Sequence, residues 1–489
     1  MTSPIPVSNT LEDDATQGGP PILVVDLDET LLRSDMLHET LWSTLSDNPK
    51  AIWGSLAALQ NGKAALKTYL ASQSEIDPAT LPYEPRVLDK LKTWRADGGR
   101  TALVTASEAG LANGIAGHLD LFDEVHGTTP ERNLKGQAKA DFLAHRYGRG
   151  GYVYIGDSAA DLPVWQGAAQ AISIGAKPAV RQALDQTGVP AQHWDGASNV
   201  IVALRRATRP HQWLKNLLVL VPLVAGQMFD IGSFISIVLT FFALSLTASA
   251  GYVINDLLDL SDDRNHPRKR ERPFASGALS PRIGTLLAPT LLVLGLSIGL
   301  MVSVQLAGVV IAYFVGTLAY SIKLKRHTMV DICMLAFLFT LRIIAGGVAL
   351  QITLSVWLLA FSMFLFLSLA ATKRLAELAK SETATREGSR RGYRPDDLIV
   401  ISQISISSGY LAVLVLALYF NQPYIVANLQ GAWLLWGMLP FLIFWVSRAT
   451  LVAHRGEMDD DPMIWAMRNG TSRKVALMIA AILMTALIW

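Results

Sequence analysis

Residues Asn255 to Gly277 read NDLLDLSDDRNHPRKRERPFASG. The stretch follows directly on a long apolar run and is dense in charge. Asp256, Asp259 and Asp263 recur at steps of three and four. On a helix of about 100° per residue, that spacing leaves the three carboxylates within an arc of roughly 60° on one face, with Asp262 well off it. Three anions on one face repel one another, so the spacing predicts a cation among them. A hard divalent ion such as Mg2+, bridging to substrate phosphates, suits that donor set. His266, Arg268, Lys269, Arg270 and Arg272 come next, a basic cluster suited to phosphate oxygens. A solvated loop whose basic residues only fix topology would leave the ordered aspartates unexplained.

Working outward, the apolar residues of the 489-residue chain are unevenly spread, and its mean hydropathy of +0.33 is high for a soluble protein. Residues 1–20 read as a polar, disordered tail without the look of a signal peptide. Residues 21–195 read as a soluble domain, 196–212 as a linker carrying Arg205, Arg206 and Arg209, and 213–489 as a membrane domain. Its apolar runs suggest about nine spans, near 214–229, 233–254, 284–303, 305–322, 332–350, 354–372, 399–420, 431–448 and 474–489. The loops 255–283, 323–326, 373–398 and 448–474 hold six, three, seven and five Lys/Arg, and the loops between them hold none. The positive-inside rule then puts the soluble domain and every basic loop in the cytoplasm, with the chain multi-pass in the inner (cytoplasmic) membrane. The single cysteine, Cys333, excludes an intrachain disulfide. A net charge of +2 singles out no partner, and no nucleic-acid partner is expected.

In the soluble part, Ile22–Val25, Thr101–Val104 and Tyr152–Ile155 are short apolar runs that read as buried strands of a mostly parallel sheet. Each ends in polar chemistry: Asp26-Leu27-Asp28-Glu29-Thr30, Thr105-Ala106-Ser107, and Gly156-Asp157-Ser158-Ala159-Ala160-Asp161. Residues 31 to about 98 read as a helical, inserted cap. This set, with Lys135, resembles the haloacid dehalogenase (HAD) superfamily of phosphohydrolases. The resemblance implies Asp26 as nucleophile, Asp28 as general acid/base, and Thr105 and Lys135 on the phosphate. It also implies Mg2+ on Asp26, Asp157 and the Asp28 backbone, with Asp161 behind them. Glu29 departs from the glycine many such phosphatases carry.

The aspartate stretch at the end of the second span resembles the first aspartate motif of the UbiA-type polyprenyltransferase superfamily. RPHQWLKN (209–216), YSIKLKRHTMVD (320–331), LRIIAGG (341–347), AATKRLAEL (370–378) and RRGYRPDDL (390–398) resemble its decaprenyl-phosphate phosphoribosyltransferase branch. The fold implied is multidomain: an N-terminal α/β HAD-like domain, Rossmann-like with a helical cap, then an all-α membrane domain of about nine transmembrane helices. The chemistry implied is transfer of 5-phosphoribose from phosphoribosyl pyrophosphate (PRPP), or use of another diphosphate, with a polyprenyl phosphate as acceptor. Asp256, Asp259 and Asp263 would serve Mg2+ and the diphosphate. Asn255, His266, Lys269, Arg272, Lys215, Tyr320, Lys325, Asp331, Lys373 and Arg374 are further candidates for substrate binding. Arg342 lies about eleven residues into its span, where a guanidinium is costly unless it meets an anion or a polar cavity. A rival reading is ordinary prenyl transfer from a prenyl diphosphate to a small acceptor, whose second aspartate motif is missing after Tyr320. A transporter or scaffold would need several mid-membrane ionisable groups, and only Arg342 qualifies.

Overall fold

The computed structural model describes residues 20–488 apart from 130–131, 197–198, 382–391, 429–430 and 459–460. The tail expected over residues 1–20 lies outside them but for Pro20, as do Arg390 and Arg391 of the RRGYRPDDL stretch. Two compact units are present, Met1–Ala207 with Asp256–Leu286, and Thr208–Asn255 with Leu287–Trp489. The aspartate stretch therefore groups with the sheet domain.

In the first unit six strands form one parallel sheet: β1 (Ile22–Val25), β2 (Thr101–Glu108), β3 (Glu124–Thr128), β4 (Tyr152–Gly156), β5 (Gln170–Ile174) and β6 (Ala191–Trp194). Their order is β3-β2-β1-β4-β5-β6. From β1 the chain winds outward through β2 and β3, then returns to place β4 on the other side of β1. Helices cover both faces, so β1 and β4 bury every residue, which is why ILVV and YVYI read as continuous apolar runs. The order reverses between β1 and β4, and ligands of open α/β sheets bind at such a switch, beyond the carboxyl ends of the strands. Asp26 and Asp157 follow those two ends. The sequence reading found three of the six strands. EVHGT and AQHW are half-buried and polar, and so carry no clear apolar run.

Three helices, Met36–Asp47, Ala51–Gln60 and Lys63–Gln73, form the inserted cap. An antiparallel bridge between Leu32 and Tyr83 closes its neck. The cap thus ends before residue 83 rather than near 98, because helix Pro85–Ala96 puts Val87 and Leu91 into the sheet core beside Leu23 and Leu103. Within the same unit, the cap is fastened to the aspartate stretch. Arg264 donates to both carboxylate oxygens of Glu39, at 3.1 and 2.6 Å, and to the Ala275 carbonyl at 3.2 Å. Ser34 donates to the same Glu39 carboxylate. Trp42 Nε1 donates to Thr285 Oγ1 at 2.8 Å.

Seven helices among the described residues are long and apolar enough to cross a membrane: Ile231–Leu258, Pro281–Val302, Val304–Ile322, Val330–Ala349, Val356–Lys380, Pro395–Phe420 and Ala432–His454. The expected count of nine is not reached. The stretch 214–229 falls on a 3-10 segment, Pro210–Leu220, and the five-residue helix Val221–Ala225, with Pro222 removing a backbone donor. The last expected span lies in Gly470–Ile488, a helix of 19 residues outside that set. In the second unit, Gly346 lets the Val330–Ala349 helix approach Val219 so closely that an added Cβ would stand 2.3 Å from the Val219 carbonyl oxygen.

The Glu39–Arg264 pair is almost fully buried, so removing one partner strands a charge. Glu39→Ala should destabilise the first unit by about 3 kcal/mol, and Glu39→Leu combined with Arg264→Met by much less. Thermal unfolding of the detergent-solubilised protein checks both.

Candidate active sites

The first cluster is built at the carboxyl ends of β1, β2 and β4. Asp26 is buried and takes Lys139 Nζ on Oδ2 at 2.8 Å and the Leu27 N–H on Oδ1 at 2.8 Å. Asp28 accepts from the Met36 N–H at 2.7 Å and from Ser107 Oγ at 2.6 Å. That ties it to the first turn of the cap and to the end of β2. Thr105 is fully buried, and its hydroxyl accepts from the Ser107 N–H at 3.0 Å. Asp161 is held from behind, by Tyr154 Oη at 2.9 Å and by the Ser158 N–H and hydroxyl, each at 3.1 Å. Gly156 has no room for a side chain, since a Cβ there would stand 2.9 Å from Asp161 Cγ. Glu29 has φ +54, the left-handed turn for which glycine is the usual residue.

Asp26, Asp157 and Asp161 offer carboxylate oxygens within 4.8 Å of one another. Burial, with Asp161 and Asp26 adding, pushes Asp157 up to about 9. Burial and the nearby Asp35 push Asp28 up to about 7. Burial raises Asp26 too, against the pull of Lys139. Carboxylates crowded in this way are a hard oxygen donor set that a divalent cation neutralises, so the residues fit Mg2+.

Lys135 is exposed, and the ammonium that reaches the carboxylates belongs to Lys139. Its Nζ also lies 4.0 Å from Asp161 and donates to Tyr154 Oη at 2.9 Å. Helix Gln137–Tyr147 buries Lys139 on the same side as Leu143, four residues on. That i, i+4 pairing was the signal in the sequence, and the reading passed over it. A second lysine, Lys67 of the cap, donates to the Ala106 carbonyl at 2.7 Å, and nothing in the sequence pointed to it.

In the aspartate stretch the three carboxylates do not share one helical face. Helix Ile231–Leu258 stops before Asp259, whose φ and ψ are −97° and 14°, and Leu260–Asn265 begins after it. The cation between Asp256 and Asp263 is Arg272, whose NH1 lies 3.0 Å from Asp256 Oδ1 and 2.7 Å from Asp263 Oδ2. One oxygen, Asp263 Oδ1, is buried with no hydrogen-bond partner. Burial, against the pull of Arg272, pushes Asp263 up to about 6. An orphaned buried oxygen beside two further acids is a fit for a hard cation. His266 Nδ1 accepts from the backbone N–H groups of Arg268 and Lys269 at 3.2 and 3.3 Å, which folds the basic cluster back on itself.

In the second unit the candidates separate into four groups. Asp331 is fully buried and engaged by Arg374 on one oxygen and by Tyr393 on the other, while Arg374 also meets Glu377. Asp331 and Arg374 thus form one buried network, in which Arg374 Nε keeps no hydrogen-bond partner. Lys215 is paired with Asp461, which the sequence reading missed. Lys325 donates to Asn255 Oδ1 at 3.2 Å, and Tyr320 and Lys373 are half-buried. Arg342 differs from all of these. Its guanidinium is buried and donates to Asn216 Oδ1 at 2.8 Å, the Leu338 carbonyl at 2.6 Å and Tyr313 Oη at 2.8 Å. The Tyr313 and Phe339 rings stack on it at 4.9 and 4.8 Å. Every one of these partners is neutral.

A parallel sheet with acids at its switch point and a unit of long apolar helices together describe an integral membrane protein with an N-terminal α/β domain. Residues 217–471 match the UbiA prenyltransferase family, and residues 23–166 match the haloacid dehalogenase-like hydrolases. The chain belongs to the UbiA prenyltransferase family and carries a HAD hydrolase domain ahead of it. The uncharacterized protein y4nM of Sinorhizobium fredii is 36% identical over 94% of this chain and 90% of its own. The nodulation protein NoeC of Azorhizobium caulinodans is 35% identical over 54% of this chain and 87% of its own. A decaprenyl-phosphate phosphoribosyltransferase of Mycobacterium tuberculosis is 34% identical over 57% of this chain and 92% of its own.

The placement of the two lysines is testable by hydrolysis of a soluble phosphate ester. Lys139→Ala should lower the rate about ten- to a hundredfold, the scale of one charge-assisted hydrogen bond, and Lys135→Ala should leave it nearly unchanged.

Proposed function

We propose that the membrane domain transfers 5-phosphoribose from PRPP to a polyprenyl phosphate, and that the HAD domain removes the 5-phosphate from the product. The reading rests first on the likeness of residues in the membrane part to a decaprenyl-phosphate phosphoribosyltransferase. Arg342 is its physical counterpart. A buried guanidinium among neutral partners is stabilised by an anion, and a phosphorylated sugar or a lipid phosphate supplies one.

In the transfer, Asp256, Asp259 and Asp263 would hold Mg2+, which when bound neutralises a diphosphate leaving group. Arg272 orients Asp256 and Asp263. Lys325 and Arg342 bind phosphate oxygens of the donor, and a lipid phosphate oxygen attacks the anomeric carbon with inversion as pyrophosphate leaves. In the hydrolase, Asp26 and Asp157 would hold a second Mg2+, which offsets the charge of the phosphate ester. Asp26 attacks phosphorus to give an aspartyl-phosphate. Asp28, steadied by Ser107 and the Met36 N–H, protonates the leaving sugar oxygen and then takes a proton from the attacking water. Lys139 balances the charge on Asp26, and Thr105 holds the phosphate. By the positive-inside rule, both reactions would run on the side of the basic loops, the cytoplasmic side. Tethering the hydrolase to the transferase raises its effective concentration near the product.

Membranes given labelled PRPP and polyprenyl phosphate should yield a labelled lipid. No labelled lipid, with turnover of a prenyl diphosphate instead, would refute the transfer assignment. Asp256→Asn and Asp259→Asn should abolish the transfer while leaving ester hydrolysis intact. Lys325→Ala and Arg342→Ala should weaken PRPP use about ten- to a hundredfold each.

Asp26→Asn, nearly isosteric, should accumulate the 5-phosphorylated lipid that the wild type converts to polyprenyl-phosphoryl-ribose. Mass analysis of the lipids separates the two products. Identical products from both proteins would detach the hydrolase from this pathway.

A further inference from the structure

The cap helix Ala51–Gln60, sequence AIWGSLAALQ, is amphipathic in the wrong sense for a soluble domain. Its buried positions are Ala51 and Ser55, each 5% exposed, while Trp53 is 74% exposed and Leu56 47%, with Ile52 and Leu59 also exposed. At about 100° per residue, Leu59, Ile52, Leu56 and Trp53 fall on one arc of roughly 120°, and the helix carries no charged side chain. A contiguous apolar patch of this kind marks a surface that something covers. Helix Val200–Thr208 repeats the pattern, burying Ala203 and Ala207 and exposing Val200, Ile201 and Val202 ahead of Arg205 and Arg206.

The same unit says what the covering is. Trp42, on the cap helix just before this one, donates to Thr285 at 2.8 Å, and Thr285 belongs to Pro281–Val302, one of the helices fit to cross a membrane. Glu39, one turn earlier, grips Arg264 of the segment that runs into that helix. Only Asn48–Lys50 separate the two cap helices, and the first of them is bonded to the first turns of a helix fit to cross a membrane. A tryptophan with aliphatic neighbours, flanked by Lys50 and Lys63, matches the headgroup–acyl boundary of an anionic bilayer.

We propose that the Ala51–Gln60 face of the cap is a membrane-interface element that lies in the lipid surface. The cap then holds the Asp26 site at that surface and favours phosphate esters carried on lipid over those in solution. The lipid contact itself stands independently of the reaction proposed above.

The test uses the full-length protein in nanodiscs containing phosphatidylglycerol, with Cys333→Ser removing the single native thiol. Environment-sensitive dyes are placed at Trp53→Cys and Leu56→Cys, with His145→Cys, exposed on a helix behind the sheet, as control. Blue-shifted emission at 53 and 56, quenched by doxyl-labelled lipid and unquenched at 145, is the expected result. Water-like emission at 53 and 56 overturns the proposal. So does a blue shift that lipid quenchers leave untouched, because a protein surface or a second copy then covers the face. Trp53→Asp with Leu56→Asp should also lower hydrolysis of a lipid-borne phosphate ester about a hundredfold, the scale of taking two large side chains out of an apolar phase. Hydrolysis of a soluble ester should be unchanged. If neither ester is a substrate, the proposed reaction fails while the dye measurement still decides the membrane contact.

Discussion

A charge taken out of water must meet its opposite, and that constraint shapes both units of this protein. Lys139 answers Asp26 and Asp161, Arg272 answers Asp256 and Asp263, and Arg264 answers Glu39. In the helical unit, Arg374 answers Asp331 and Lys215 answers Asp461. These pairs sort the charged residues by role. A carboxylate such as Asp331 has both oxygens engaged by protein. Asp263 keeps one buried oxygen without a partner, and Arg342 is a buried cation among neutral ones. Arg374 likewise keeps a buried Nε without a hydrogen-bond partner, so among the described residues the fold leaves these groups partly unsatisfied.

The hydrolase domain shows how a fold turns such pairs into a site. Parallel strands bring their carboxyl ends to one edge, and the reversal between β1 and β4 leaves space beyond Asp26 and Asp157. Asp28 is attached on one side to β2 through Ser107 and on the other to the cap through the Met36 N–H. The helix that begins at Met36 carries Glu39, and Glu39 holds Arg264, next in sequence to Asp263. The proposed acid of one reaction and a proposed ligand of the other are thus joined by one short helix and one ion pair.

Much of this was legible in the sequence because it depends on local pattern. Continuous apolar runs ending in polar residues gave β1, β2 and β4, and long apolar stretches gave nine expected spans, of which seven helices among the described residues are long and apolar enough. The motifs around Asp26, Asp157 and Asp256 gave both families. Part of what the sequence reading missed was weakly patterned, although β5, buried over Ala171–Ile174, was not. The edge strands are polar, the cap ends where Val87 and Leu91 turn to the core, and the stretch 214–229 is broken by Pro222.

The sequence by itself therefore determined the two families, because their motifs are runs of neighbouring residues, while the helical face expected for Asp256, Asp259 and Asp263 is broken at Asp259. Only the tertiary structure decided which cation each acid meets. Lys139 rather than Lys135, Arg272 between Asp256 and Asp263, and Asn216 with Tyr313 on Arg342 are partnerships across the fold, made between residues from nine to 126 positions apart or by a single turn of helix phase. Coulomb and desolvation energies depend on distance in space, and a one-dimensional pattern does not carry that distance.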